Sequence, residues 1–184
     1  MAARRTNSVR IIAGEWRGRL ITFPAAPGLR PTPDRVRETL FNWLGQDLTG
    51  KRCLDLFAGS GALGFEALSR GAREVVFVER SAPIRRAIAA NTERLGARRM
   101  RLIAGDALEF AATTPERFDI VFVDPPYGSG LAEAALRHLP RLLAEDALVY
   151  VESDRAFSAP QPWRRVREGR AGAVHYCLIG WDEK

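Results

Sequence analysis

Apolar positions along this chain fall into two rhythms, and their alternation predicts the fold. Near-continuous apolar runs at Cys53–Phe57, Glu74–Glu79, Met100–Gly105, Phe118–Val123 and Ala147–Val151 read as strands covered on both faces. Helical spacing fills much of the chain between them. Ala62–Ser69 predicts a helix stopped by Gly71, Ser81 caps one that ends at Gly96, and Leu131–Leu143 reads as another. Strand alternating with helix implies a parallel sheet with right-handed crossovers. The end of the chain breaks that rule. Trp163–Glu168 and Val174–Gly180 are joined by Gly169–Ala173, too short for a crossover helix, so they predict an antiparallel hairpin.

The front is less regular. Val9–Ile12 and Arg19–Phe23 read as short strands, and Pro24, Pro27, Gly28 and Pro31 make the next stretch irregular. Thr32 then suits a helix N-cap and Pro33 a first helical position, with Val36, Leu40, Trp43 and Leu44 on one face. The expectation is an α/β, Rossmann-like doubly wound sheet, mostly parallel, with an antiparallel C-terminal hairpin strand and helices on both faces. Residues 1–184 read as one domain, with 1–31 a basic extension and 32–184 the core.

Composition narrows the class. With 46% apolar and 27% charged residues, wholesale disorder and collagen-like repeats are excluded. No run reaches the ~18 apolar residues of a membrane span, so no membrane association is expected. Met1 to Arg10 carries three arginines and no apolar stretch, which does not resemble a secretory signal. Cys53 and Cys177 sit in apolar runs without metal-ligand spacing and read as buried thiols of a cytoplasmic protein. His138 and His175 are isolated, so no metal is expected. Net charge is +6, and residues 1–30 hold six arginines against the single acid Glu15. Such a segment suits a polyanion, since arginines displace counterions from phosphates; the bland alternative is a solvated terminus.

Candidate chemistry sits at the ends of the strands. Asp55-Leu-Phe-Ala-Gly-Ser-Gly-Ala-Leu-Gly64 places Gly59, Gly61 and Gly64 in a G-x-G-x-x-G spacing, with Glu79 a further strand on. Read literally this is a dinucleotide turn. Asp55 argues otherwise, because a carboxylate at that strand end repels a pyrophosphate and attracts a ligand bearing ammonium and sulfonium groups, such as S-adenosylmethionine. Glu79 suits ribose hydroxyls in either reading, and Asp106 suits an adenine edge. A nicotinamide-dependent oxidoreductase and a purely structural turn stay open as alternatives.

A second motif adjoins the fourth core strand: Asp124-Pro125-Pro126-Tyr127. Two prolines make a rigid loop with outward carbonyls. Asp124 and the Pro125 carbonyl can accept hydrogen bonds from an exocyclic amine and stabilise positive charge developing on its nitrogen. Tyr127 can stack on a flipped base, or be core packing.

Together the Asp55–Gly61, Val78-Glu79, Gly105-Asp106-Ala107 and Asp124–Tyr127 segments resemble the motifs of class I adenosylmethionine-dependent amino-methyltransferases. Arg10-Ile-Ile-Ala-Gly-Glu-Trp-Arg-Gly-Arg19 and Arg30-Pro-Thr-Pro-Asp-Arg-Val-Arg-Glu-Thr-Leu-Phe-Asn-Trp-Leu44 are more specific. They resemble the RsmD family of bacterial 16S rRNA guanine-N2 methyltransferases, a similarity running from Arg10 to Gly180. The resemblance implies S-adenosylmethionine as cofactor, held by Asp55, Gly59, Gly61, Glu79 and Asp106 with Phe57, Ala58, Ser60 and Ala107 beside them. It assigns Asp124, Pro125, Pro126 and Tyr127 to the base. It further implies 16S rRNA as partner, within an assembled or nearly assembled 30S subunit. A DNA or other RNA amino-methyltransferase shares the same chemistry, although 184 residues leave no room for a DNA target-recognition domain. An idle RNA-binding module would not need the acids at 55, 79, 106 and 124 together.

RNA-facing candidates are Arg10, Arg17 and Arg19 with Trp16 between them, and Arg35. Trp16 reads equally as a core plug; Arg35 and Arg37 point to different faces of their helix, so that one can meet phosphate or the cofactor carboxylate while the other pairs with Glu38 or Asp34. Arg164, Arg165, Arg167 and Arg170 can extend the footprint or simply be solvated. With no coiled-coil pattern, a monomer is expected.

Overall fold

The computed structural model describes residues 6–182; Arg4 and Arg5 of the basic front segment lie outside them. The core strands are β3 (Arg52–Asp55), β4 (Glu74–Glu79), β5 (Met100–Ala104), β6 (Phe118–Val123), β7 (Leu143–Ser153), β8 (Trp163–Ala171) and β9 (Val174–Trp181). They form one seven-stranded sheet in the order β5-β4-β3-β6-β7-β9-β8. Strands β3 to β7 pair in parallel, and β9 runs antiparallel to both β7 and β8. The mostly parallel, doubly wound architecture with its C-terminal hairpin is the one the apolar rhythm predicts.

Alternation within each strand divides the core in two. Cys53, Val75, Phe77, Ile120 and Phe122 face α1 (Asp34–Leu44), α2 (Ala62–Ser69) and α3 (Ala82–Leu95). Leu54, Leu56, Val76, Val121 and Val149 face α4 (Ala107–Thr113) and α5 (Leu131–Leu136). Both cysteines are buried free thiols, and burial pushes Cys177 up to about 12.

Several elements differ from the sequence reading, among them β8, which runs on to Ala171. The helix expected over Leu131–Leu143 stops at Leu136, and a 3-10 turn, Leu139–Leu142, comes after it. Pro140 supplies no amide to continue an α-helix. The strand expected at Ala147–Val151 is longer, Leu143–Ser153, and carries an irregularity in its pairing to β6 near Asp146, whose φ is 57°. Finally, α4 has no counterpart in the sequence reading; Asp106 starts it by accepting from the Leu108 and Glu109 amides at 2.8 and 3.1 Å.

The front segment is also more ordered than expected. β1 (Thr6–Arg10) and β2 (Leu20–Pro24) pair antiparallel as a separate hairpin, so the first strand lies earlier than Val9–Ile12. Its inward side chains Val9, Ile11, Trp16, Ile21 and Phe23 join the core beside α2 and α3. Asn91 of α3 pairs with both backbone groups of Thr22, at 3.0 and 2.8 Å.

One buried carboxylate ties this hairpin to the core. Glu66 on α2 is fully buried and accepts from the Ile12 and Ala13 amides (2.9 and 3.0 Å), Arg37 Nη1 (3.1 Å) and Arg70 Nε (2.9 Å). Arg37, itself buried, also donates to Asp34, to the Arg10 carbonyl and, through Nε, to the Thr32 carbonyl at 3.1 Å. Glu66→Ala leaves two guanidinium groups without their carboxylate inside the core. The expected cost is ~3–5 kcal/mol, read as a lower urea midpoint with an unchanged slope. A midpoint within error of the parent would show the network to be dispensable.

Candidate active site

Parallel pairing carries the ends of β3, β4, β5, β6 and β7 to one edge of the sheet. The chain reverses direction across the sheet between β3 and β6, the switch point where open α/β sheets bind ligands. A cleft of about 660 Å³ opens there, a size typical of small-molecule sites. It is lined by Asp55, Glu79, Asp106, Asp124 and Glu152, with only Arg30 and Arg80 as cations. That balance favours a cationic ligand over a pyrophosphate.

The glycine turn forms its floor. Gly61 has φ 79° and precedes α2, a conformation glycine adopts without strain. Gly64 lies against β4 so closely that a Cβ there would stand 2.2 Å from the Phe77 ring, which explains the third glycine as packing. Phe57, Ala58, Gly59 and Ser60 line the cleft, as does Ala107 at the start of α4.

Asp55, Glu79 and Asp106 are each held by backbone donors. Asp55 Oδ2 accepts from the Gly64 amide at 3.0 Å and is almost wholly buried. Burial pushes it up to about 8; the Gly64 bond opposes the shift, and Glu79 adds to it. Glu79 accepts from Gly59 N at 3.0 Å and Ser81 N at 2.7 Å, which fixes its carboxylate at the end of β4. Asp106 spends Oδ1 on capping α4, and Oδ2 is not used in that cap.

At the end of β6 the structure adds residues the sequence reading missed. Thr32 does not cap α1, whose N-cap is Pro33 with no side-chain bond. Its hydroxyl instead reaches Asp124 Oδ2 at 3.2 Å and Glu152 Oε2 at 3.0 Å. Glu152, buried at the end of β7, also accepts from Tyr127 at 2.9 Å and Tyr150 at 2.8 Å. Burial holds Asp124 well above the usual carboxylate range, with Glu152 and then Asp55 adding to the shift and Thr32 opposing it. One hydroxyl proton between two carboxylates matches that direction, since a proton on Asp124 completes the pair. Burial and Glu152 likewise keep the Tyr127 and Tyr150 phenols protonated. Glu152 was legible by the rule that found the other acids: it too ends a parallel core strand.

The RNA-facing candidates separate. Trp16 is 6% exposed and packs in the core, so the stacking reading is corrected to the plug. Its amide bonds Ser69 Oγ at 2.9 Å. Arg19 is exposed but donates to the Arg94 carbonyl at 2.7 Å. Arg10, Arg17 and Arg35 are exposed, and their guanidinium groups have no hydrogen bond or ion pair with another described residue. Arg37 pairs with Asp34, but mainly serves the buried network.

Residues 9–180 match the family model described as conserved hypothetical protein 95. The ribosomal RNA small subunit methyltransferase D of Escherichia coli K12 is 44% identical over 178 residues, covering 94% of this chain and 90% of that protein. The Haemophilus influenzae protein of the same name is 43% identical over 180 residues, 94% of this chain and 93% of that one. Among solved structures, an Escherichia coli protein designated a methyltransferase, yhhF, superposes with a TM-score of 0.86 at 43% identity, over 97% of this chain and 100% of that one. A Thermus thermophilus 16S rRNA guanine-N2 methyltransferase, solved with S-adenosylmethionine and guanosine, gives 0.72 at 25% identity, over 97% of this chain and 50% of that one.

The position of Asp55 sets a pH dependence. Between its ordinary value of 3.8 and about 8, the folded protein holds a proton that the unfolded chain has lost. Stability of the ligand-free protein therefore declines as pH rises through that window, and a cation bound at Asp55 expels the proton. Asp55→Asn is expected to flatten the fall in melting temperature between about pH 4 and about pH 8 and to weaken S-adenosylmethionine about 10-fold or more. Melting curves across pH and calorimetry in two buffers of different ionisation enthalpy check both; an Asn variant with the parent's pH slope and affinity would contradict them.

Proposed function

The chain belongs to the RsmD family, and from that premise we propose that it methylates the exocyclic N2 amine of a guanine in 16S rRNA, using S-adenosylmethionine. The observation that carries this reading is Asp124-Pro125 at the end of β6, opening into a cleft whose other acids suit a cation. An acid-lined cleft suits a sulfonium and an ammonium group, to which Asp55 gives up its proton, and argues against a nicotinamide dinucleotide.

We assign the cofactor to Asp55, Gly59, Gly61, Glu79 and Asp106, with Phe57, Ala58, Ser60 and Ala107 shaping the wall. When bound, S-adenosylmethionine supplies a methyl group activated by its positive sulfur. Asp55 offers the amino end a carboxylate, Glu79 accepts from the ribose hydroxyls, and the second oxygen of Asp106 meets the adenine edge. Asp124 and the Pro125 carbonyl accept the two N2 hydrogens of guanine. This turns the amine lone pair, otherwise delocalised into the ring, toward the methyl. With a cationic cofactor bound and Asp124 ionised, its carboxylate stabilises the positive charge that grows on nitrogen and can then take the surplus proton. Pro126 keeps the loop rigid, and the half-exposed Tyr127 ring offers a stacking face while its hydroxyl stays on Glu152.

Residues 32–184 carry the catalytic acids on this reading, and 1–31, whose hairpin packs on the core and whose Arg30 lines the cleft, present the RNA-facing arginines. The uncommitted guanidinium groups of Arg10, Arg17 and Arg35 meet phosphate. The protein acts as a monomer in the cytoplasm on assembled or nearly assembled 30S particles.

The test is transfer of labelled methyl to unmodified 30S particles, naked 16S rRNA and duplex DNA. Label on 30S particles, recovered as N2-methylguanine, is expected; label on DNA instead would overturn the RNA assignment. Asp124→Ala is expected to lower turnover ~10²-fold or more while cofactor binding persists, because an oriented charge-stabilising group is lost. Unchanged turnover in that variant would sink the mechanism.

A further inference from the structure

Glu152 has no place in the chemistry above, yet its surroundings differ from those of a structural carboxylate. Glu66, equally sealed from water in the same chain, is neutralised by two guanidinium groups and two backbone amides. Glu152 forms no ion pair among the described residues, and its donors are the three neutral hydroxyls of Thr32, Tyr127 and Tyr150. It stands next to Asp124, with which it shares the Thr32 hydroxyl. A carboxylate kept under those conditions for packing alone would be better replaced by an amide or an apolar side chain.

Its orientation supplies the reason. Glu152 lines the main cleft, and it also lines a second cavity of about 270 Å³; the two share Pro125, Pro126, Tyr127 and Glu152. Oε2 already receives Thr32 and Tyr150, whereas Oε1 receives Tyr127 alone and retains acceptor capacity. Asp124 and Glu152 share the Thr32 hydroxyl, so they present neighbouring acceptors to whatever enters. Guanine carries neighbouring donors on one edge, the N2 amine and N1–H. Adenine and cytosine place a ring-nitrogen acceptor beside their amine instead.

We propose that Glu152 is a specificity-determining residue that accepts the N1–H of the target guanine while Asp124 holds its N2 amine. This rests on the guanine-N2 reading above and adds the means of base choice. A base with an acceptor at N1 would set its lone pair against the carboxylate, so selection works by repulsion as much as by attraction. Thr32 fixes the spacing of the two acceptors. Tyr127, bonded to the same carboxylate, is positioned as the stacking face over the base they hold.

The experiment uses 2-aminopurine, which keeps the methyl-accepting C2 amine but has an unprotonated N1. The full-length protein and its Glu152→Gln variant are given 30S particles reconstituted with either guanine or 2-aminopurine at the methylated position. Glutamine keeps the shape but can turn an amide N–H toward an N1 acceptor. The parent is expected to prefer guanine by ~10²-fold or more, because a buried acceptor left facing a lone pair is heavily penalised. In Glu152→Gln that preference is expected to shrink by about 10-fold or more. The loss of O6 in 2-aminopurine affects both proteins and cancels in the comparison. Melting temperature and S-adenosylmethionine affinity, measured on the same variant, report its folding. An equal fall on both substrates, with the preference unchanged, would overturn the proposal and leave Glu152 a packing residue. Absence of label from the parent on the guanine particle would overturn the functional reading, and this inference with it.

Discussion

The carboxylate of Glu66, sealed from water between two guanidinium groups, is the point from which the front of this protein is organised. Through its two backbone bonds it fixes the chain after β1, and through Arg37 it fixes the start of α1. Arg37 in turn holds the Thr32 carbonyl, which leaves the Thr32 hydroxyl pointing at Asp124 and Glu152. A buried ion network of this kind contributes little net stability over an apolar substitute, but breaking it is costly. Its value here lies in placement: three segments far apart in sequence meet at one geometry, and the last link of the chain lies in the candidate active site.

The cleft itself is a consequence of topology. Parallel pairing points the carboxyl ends of β3 to β7 the same way, so acids that are scattered in sequence become neighbours in space. Mutual repulsion among them is eased locally by amides from Gly59, Gly64 and Ser81 and by the cap on α4. Those donors orient the carboxylates without cancelling their charge. Burial then drives Asp55 and Asp124 toward their protonated forms. A cationic ligand reverses that shift, so the desolvation these acids already suffer becomes part of the selectivity for a positive charge.

What the sequence made legible was set by range. Apolar rhythm located the parallel strands and the terminal hairpin, because burial on two faces leaves a continuous apolar run. The glycine turn and Asp-Pro-Pro-Tyr were legible because each motif is contiguous in sequence. Thr32 was misread as a cap because its sequence neighbours suit one, whereas its true partners lie 92 and 120 residues away. Glu66 carried no signal in the sequence, and the partners that bury it and Arg37, Ile12 and Ala13 among them, come from the distant hairpin. Trp16 was ambiguous between plug and stacking face until β1 and β2 were seen to cover α2 and α3. Helix α4 was missed because seven residues give too little periodicity to stand out.

Charge also decides how a polyanion can approach such a site. The chain is net positive, and its front segment carries exposed guanidinium groups, yet the cleft is rimmed by carboxylates. A phosphate backbone is attracted to the first and repelled by the second. A phosphate backbone gains nothing by entering a cleft of that charge. A nucleobase is neutral and presents hydrogen-bond donors, which the carboxylates favour. Acceptors set this deep in a cleft are reached by a base edge only once the base has left its stack. Unstacking costs a few kcal/mol, least where the base is already unpaired. Under that constraint the acceptors of the cleft favour a base that is already unpaired.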